Sequence, residues 1–257
     1  MRDLKEVLYD KECLQKPYFR FLLSGLDAQG VRTEEITRPI GDARGVLVVC
    51  ANEDTVRMAL EADAAYVCCG ISSRDAQCII EGFDEVDADF LEKMYERKHR
   101  IPWEIARTER LRIREFCRED RRDILPELST DPDFTEKYIE NMYGFFGYGI
   151  WAAVLKETGE IIGRVGFYDS SSVDGFEIGY AIDEPYRRRG YAFEACRAAI
   201  DFAENRLGQE KIYALIELSN DGSMRLAESL GFRDTGKTVW DKSRAAEELK
   251  IFLLNLC

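Results

Sequence analysis

Arg187, Arg188, Arg189, Gly190 and Ala192 stand together in the run YRRRGYA, positions 186–192. Residues of these types can hold a phosphate or pyrophosphate. Guanidinium groups supply charge-assisted donors, Gly190 lets the backbone approach an anion with no Cβ in the way, and Ala192 does nearly the same. The elements on either side fit that chemistry. Phe176 to Ile182 has strand character, and the apolar positions Ala192, Cys196, Ala199, Ala203 and Leu207 recur at helical spacing. The sequence therefore predicts a strand, a turn and a helix N-terminus. First-turn N–H groups there have no intrahelical partner, and the peptide dipoles add roughly +0.5 of a charge. An anion belongs at such a place. Arginine-rich turns are also common as plain solvated loops, so this turn alone does not decide the matter.

A second segment repeats the arrangement. In Lys211 to Ser219, KIYALIELS, the residues Ile212, Ala214, Ile216 and Leu218 alternate as in a half-buried strand. Asn220 follows as a natural N-cap, and Leu226 and Leu230 lie one turn apart on the next helix before Gly231 ends it.

Together, EIGYAIDEPYRRRGYAFEA and NDGSMRLAESLGF resemble the acetyl-CoA motif and the following strand-to-helix motif of the GNAT acetyltransferase superfamily, in particular its RimJ/RimL-like group. The resemblance begins near Ile105 to Arg114, IARTERLRIR, and runs to the C-terminus. It implies acetyl-CoA as cosubstrate and direct transfer of acetyl to a primary amine, with no acyl-enzyme. The acceptor would be a protein N-terminus, an amino acid or a small amine. By the same resemblance Arg187, Arg188, Arg189, Gly190, Tyr191 and Ala192 form the pyrophosphate loop, Asn220 contacts the pantetheine arm or nearby backbone, and Ile182 offers backbone groups to pantetheine and the acetyl carbonyl.

The transfer requires an ammonium to lose a proton and a thiolate to be stabilised as it leaves. In FEIGYAID, Glu177, Gly179, Ala181 and Asp183 share one strand face, so small residues beside an acid leave room for a ligand. Glu177 matches the glutamate regarded as general base in RimL-like enzymes. Read without the family, it is an ordinary exposed strand glutamate. Ser223 matches the serine proposed to protonate the thiolate, or it is only a helix-start residue bonding backbone. Many family members use a tyrosine four residues further on, where this chain has Ala227.

Composition is consistent with an intracellular enzyme. The 257 residues carry 36 basic and 49 acidic side chains, a net charge of −13. The excess is spread: residues 1–104 hold 14 basic and 21 acidic, the remainder 22 and 28. Nucleic acid is a poor partner for such a surface, whereas an amine-bearing substrate suits it. The eight cysteines form no CxxC pair and His99 is the only histidine, so no metal site is expected and the cysteines read as reduced core residues. The start is charged and no apolar run approaches the roughly 18 residues of a membrane span, which points to the cytoplasm and no membrane association.

Residues 1–104 read as a separate small α/β domain and residues 105–257 as the GNAT domain. Gly45 to Cys50, Glu53 to Ala62 and Ala64 to Cys69 make a strand, a helix and a strand, which implies a Rossmann-like parallel sheet extended by Cys78 to Ile80 and closed by a helix over Asp87 to Lys98. VLVVCANEDTVRMALEADAAYVCCG loosely resembles the later half of haloacid-dehalogenase-type (HAD) phosphatase domains. The acid expected after the strand is replaced by Cys50-Ala51-Asn52, so docking or oligomerisation, including a homodimer, is the expected role rather than phosphatase activity. Trp103 is placed to anchor the joint after Pro102.

In the second domain the strands expected are Leu111 to Phe116, a hairpin of Trp151 to Leu155 and Ile161 to Phe167, and a final pair, Arg233 to Trp240 and Glu248 to Leu254. Helices are expected from Glu119 through Leu128 and over Phe134 to Phe146, the latter flanking the acceptor cleft. The fold class is α/β, with a mixed, largely antiparallel sheet and helices on both faces. The reading from another functional class is a non-catalytic acyl-CoA-binding regulatory protein.

Overall fold

The computed structural model describes residues 3–120, 137–139, 142–143, 147–170, 172–241 and 247–256. The helices expected over 119–128 and 134–146 lie largely outside them. Contacts between Cα atoms divide the chain into two compact units, Met1–Trp103 and Glu104–Cys257.

The first unit contains β1 (Glu6–Tyr9), α1 (Phe19–Ala28), β2 (Arg32–Glu35), β3 (Val46–Cys50), α2 (Glu53–Glu61), β4 (Ala65–Cys69), β5 (Cys78–Ile80) and α3 (Ala88–Lys98). Its sheet runs β2-β1-β3-β4-β5 and every pairing is parallel. Val46 to Cys50 and Ala65 to Cys69 are buried throughout, which is why they read as uninterrupted apolar runs rather than alternating ones. Asp87 caps α3 by accepting from Phe90 N at 2.7 Å, as expected of a helix-opening acid. The Trp103 indole donates to Lys93 O at 3.2 Å and lies under the Arg97 guanidinium at 3.6 Å, so it is fastened to α3 of its own unit.

An acid does stand at this sheet's carboxyl edge, on β1 rather than β3. Asp10 is buried, and its carboxylate accepts from the main-chain N–H groups of Ala51 and Asn52, from Asn52 Nδ2 at 2.9 Å and from the Thr55 hydroxyl. Asn52 in turn caps α2, taking Thr55 N at 3.0 Å. The N-terminus of α2 already holds an anion, and that anion belongs to the chain. The charged context of Asp10, YDKE, gave the sequence no hint of this.

The second unit contains β6 (Glu104–Arg107), β7 (Leu111–Arg114), β8 (Ile150–Leu155), β9 (Ile161–Asp169), β10 (Phe176–Ile182), α4 (Tyr191–Leu207), β11 (Lys211–Glu217), α5 (Asp221–Ser229), β12 (Arg233–Asp241) and β13 (Glu247–Asn255). Its eight strands are ordered β12-β13-β11-β10-β9-β8-β7-β6, and only the β10–β11 pairing is parallel. The α4 helix buries Ala195, Cys196, Ala199, Ile200 and Ala203. That face is mostly small, so the helix lies close to the sheet while Phe202 meets the fully buried Trp151 edge to face at 5.2 Å. Gly190 before α4 and Gly208 after it both take left-handed φ, +82° and +61°, the conformation glycine adopts without strain.

Candidate active site

The basic turn leaves β10 through Asp183 and enters α4 at Gly190. Arg187 Nε donates to Ile182 O at 2.8 Å, folding the first arginine back against the strand it follows. Arg188 holds a left-handed φ of +61°, which a residue with a Cβ adopts at a cost of roughly 1–2 kcal/mol. Such strain concentrates where the backbone is shaped for a task. No side chain caps α4, so its first-turn N–H groups face outward beside Gly190. Arg187, Arg188 and Arg189 are exposed, and among the described residues none forms a salt bridge.

The turn is held from β7's side by a residue the sequence reading passed over. Arg110 Nη1 donates to Arg189 O at 2.9 Å, its guanidinium pairs with Glu194 at 2.6 Å, and it lies 4.4 Å from the Tyr191 ring centre. Glu194 also accepts from Thr108 Oγ1 at 2.5 Å and Arg110 N at 2.7 Å. Burial pushes the Glu194 carboxyl up, but these bonds outweigh it and hold it below the usual carboxylate range. A Cβ on Gly190 would lie 3.3 Å from Arg110 Nη2. The IARTERLRIR segment therefore does more than open the sheet, because it braces the basic turn.

Between the two motif segments the sheet comes apart. All seven residues of β10 have partners on β9, and all seven of β11 have partners on β13. Yet β10 and β11 share only two register pairs, Phe176 with Ile212 and Glu177 with Tyr213, before their ladder ends. Beyond these pairs the inner edges form a fork that opens toward the Arg187 to Ala192 turn. Asp183 N donates to Ile162 O at 2.9 Å, on the β9 side. N–H and C=O groups alternate sides along a strand, so the main-chain groups of Ile182 and Tyr180 point into the fork. Ile182 O already accepts from Arg187 Nε, and the other polar main-chain groups at this edge require partners, which a ligand carrying amides can supply.

Glu177 stands where the fork begins and is 2% exposed, not the surface glutamate that composition alone would suggest. Its register partners are Tyr168 on β9 and Tyr213 on β11, so a carboxylate lies between two tyrosines on one face of the sheet. The room expected above Gly179 is not open. The Tyr168 ring covers it, and a Cβ there would collide with that ring. Tyr168 thus extends along β10 toward the open part of the fork.

On the far side, Asn220 Oδ1 accepts from Ser223 N at 3.0 Å and caps α5, as the sequence predicts. Ser223 sits in the first turn, half-buried, with Ala227 buried one turn later. The structure brings a second hydroxyl here. Tyr180, three residues beyond Glu177 on β10, donates to Ser223 O at 3.4 Å. Its hydroxyl pKa is pushed to about 12, chiefly by burial, with the Ser223 contact opposing. No motif in the sequence had pointed to Tyr180.

An acetyltransferase (GNAT) domain model matches residues 110–233 of this chain. YkkB of Bacillus subtilis (strain 168) is 33% identical over 166 residues, covering 56% of this chain and 95% of that protein. The N-acetyltransferase p20 of Bacillus licheniformis is 31% identical over 148 residues, covering 50% and 82%. The N-acetyltransferase YjdG of Bacillus subtilis is 37% identical over 102 residues, of which this chain spans 60% of the length. Among solved structures, the acetyltransferase from Agrobacterium tumefaciens str. C58 is 26% identical with a TM-score of 0.45, covering 59% of this chain and 94% of that one. The chain belongs to the GNAT acetyltransferases, and it is an acyltransferase enzyme. The family model's match lies within the second unit. Among the described residues no helix is long and apolar enough to cross a membrane.

Proposed function

We propose that the second unit transfers acetyl from acetyl-CoA to a primary amine by direct attack in a ternary complex, in the manner of RimJ/RimL-like enzymes. The observation that carries this reading is the fork, whose ladder ends after Glu177 and Tyr213 and which opens onto an arginine-rich helix N-terminus. A pantetheine arm has the amides to replace the missing strand, and a pyrophosphate has the charge for the turn. Arg187, Arg188, Arg189, Gly190, Tyr191 and Ala192 hold the pyrophosphate. The Ile182 main chain and Asn220, whose amide nitrogen remains for a ligand while its oxygen caps α5, hold the pantetheine arm.

Glu177 takes the proton of the incoming ammonium, through water given its burial. Tyr168 and Tyr213 flank it, and their faces favour a cation. The nitrogen attacks the thioester carbonyl, the C–S bond breaks, and Ser223 assists the departing thiolate. The acceptor class is a protein N-terminus, an amino acid or a small amine, and the setting is cytoplasmic.

The first unit we read as a non-catalytic α/β module of Rossmann-like type, a degenerate relative of HAD domains. Its support is Asp10, whose carboxylate is committed to Ala51, Asn52 and Thr55. Thiol release from acetyl-CoA across a panel of amines, together with calorimetry of acetyl-CoA alone, tests the enzyme reading. Tight acetyl-CoA binding with no acceptor in a broad panel would favour a regulatory binder instead.

A further inference from the structure

We propose that Tyr180 is the principal hydrogen-bond donor to the departing thiolate, acting from the strand side of the fork with Ser223 on α5 in the lesser part. The proposal rests on the acetyl-CoA reading above. Tyr180 main-chain groups point into the fork, while its side chain crosses over the gap to the first turn of α5, where it reaches Ser223 O at 3.4 Å. The side chain therefore straps the fork. An arm that runs from the Arg187 to Ala192 turn to a reacting carbonyl near Glu177 must pass beneath it. Tyr180 lies three strand positions beyond Glu177, about 10 Å along the chain. The phenol thus lies over the length of arm between the base and the basic turn.

Its present bond is long and directed at a carbonyl that α5 can satisfy otherwise, so the hydroxyl can turn to an anionic sulfur without leaving a partner stranded. Ser223 alone is a poorer donor for this purpose, because an aliphatic hydroxyl is far less acidic than a phenol. Ala227, buried on α5, contributes no donor at all. The step balances simply. The amine, deprotonated by Glu177, forms the C–N bond, and the C–S electron pair leaves on sulfur. The Tyr180 hydrogen bond stabilises that thiolate, and the extra proton on nitrogen passes to water. Tyr180 keeps its own proton, as suits a phenol whose pKa is raised by burial. The titratable group facing it from α4 is Cys196, whose thiol burial likewise keeps protonated.

The experiment uses the full chain and single-turnover thiol release from acetyl-CoA to hydroxylamine. That nucleophile is uncharged at neutral pH and so bypasses the need for a base. Tyr180→Phe is expected to slow release about 10-fold to about 100-fold, the worth of a hydrogen bond to a charged group, with acetyl-CoA affinity within about twofold of the parent. Fluorotyrosine incorporated at position 180 keeps the shape and sharpens the acidity. It is expected to restore the rate and to move the alkaline limb of the pH–rate profile toward neutrality. Parental rates in Tyr180→Phe overturn the proposal, as does a fluorotyrosine enzyme whose alkaline limb stays in place. A loss in Tyr180→Phe matched by an equal loss of acetyl-CoA affinity also overturns it, since the residue then only holds α5. A parent protein that binds no acetyl-CoA overturns the functional reading, and this proposal with it.

Discussion

Glu177 and Tyr213 are the last register partners that β10 and β11 share. One residue is buried acid and the other an aromatic wall, and beyond them the two strands separate. The position of the proposed base is thus fixed by backbone pairing on both sides, with Tyr168 on β9 completing the row.

Glu177→Gln is expected to lower kcat by about 10²-fold to 10⁴-fold, the range of a positioned acid or base. Acetyl-CoA affinity should stay near the parental value, because the side chain is not part of the anion loop. The acidic limb of the pH–rate profile should flatten as well. Turnover close to parental across pH would withdraw the base assignment.

Gly190 is required by its conformation and by its neighbour. Its φ of +82° costs any other residue roughly 1–2 kcal/mol, and a side chain there must also displace Arg110. Gly190→Trp should fold with reduced stability and lose the acetyl-CoA-dependent thermal shift, which in the parent amounts to about 2.7 kcal/mol at a hundredfold excess over Kd. Calorimetry showing unchanged affinity in the folded variant would remove the phosphate role of the turn.

The Arg110–Glu194 brace should be sensitive to acid. Glu194 has its folded pKa below the unfolded value, so the stability it contributes is present above the unfolded pKa and is lost as pH falls through the folded one. Glu194→Gln is therefore expected to be less stable than the parent by on the order of 1 kcal/mol at neutral pH. The two melting temperatures should converge on acidification through the carboxylate range. A constant gap between the two curves would show that shape rather than charge at residue 194 sets the loop.

Asp10→Ala leaves the buried N–H groups of Ala51 and Asn52 without their acceptor. The first unit should lose about 2–5 kcal/mol, measured by denaturant unfolding. Acetyl-CoA affinity is expected to persist where the protein stays folded. The parent should show no magnesium-dependent phosphatase activity. Turnover that disappears with Asp10→Ala would assign chemistry to the wrong half of the chain.

The sequence by itself determined the strands, the helix after Gly190 and the basic turn between strand and helix. YRRRGYA carries its own instructions, since a glycine that takes left-handed φ without strain, a small residue after it and a helical apolar stripe are local properties of contiguous residues. Asn220 was legible as a cap for the same reason, its oxygen meeting Ser223 N only three residues away. Tertiary structure decided what lies across strands. The burial of Glu177, the Tyr168 ring over Gly179, the brace from Arg110 and the reach of Tyr180 to Ser223 all join residues distant in the chain, and their side chains follow from register rather than from spacing. Asp10 shows the same limit in the first unit, because its value comes from β1 lying beside β3, and strand order is set by packing of the whole sheet.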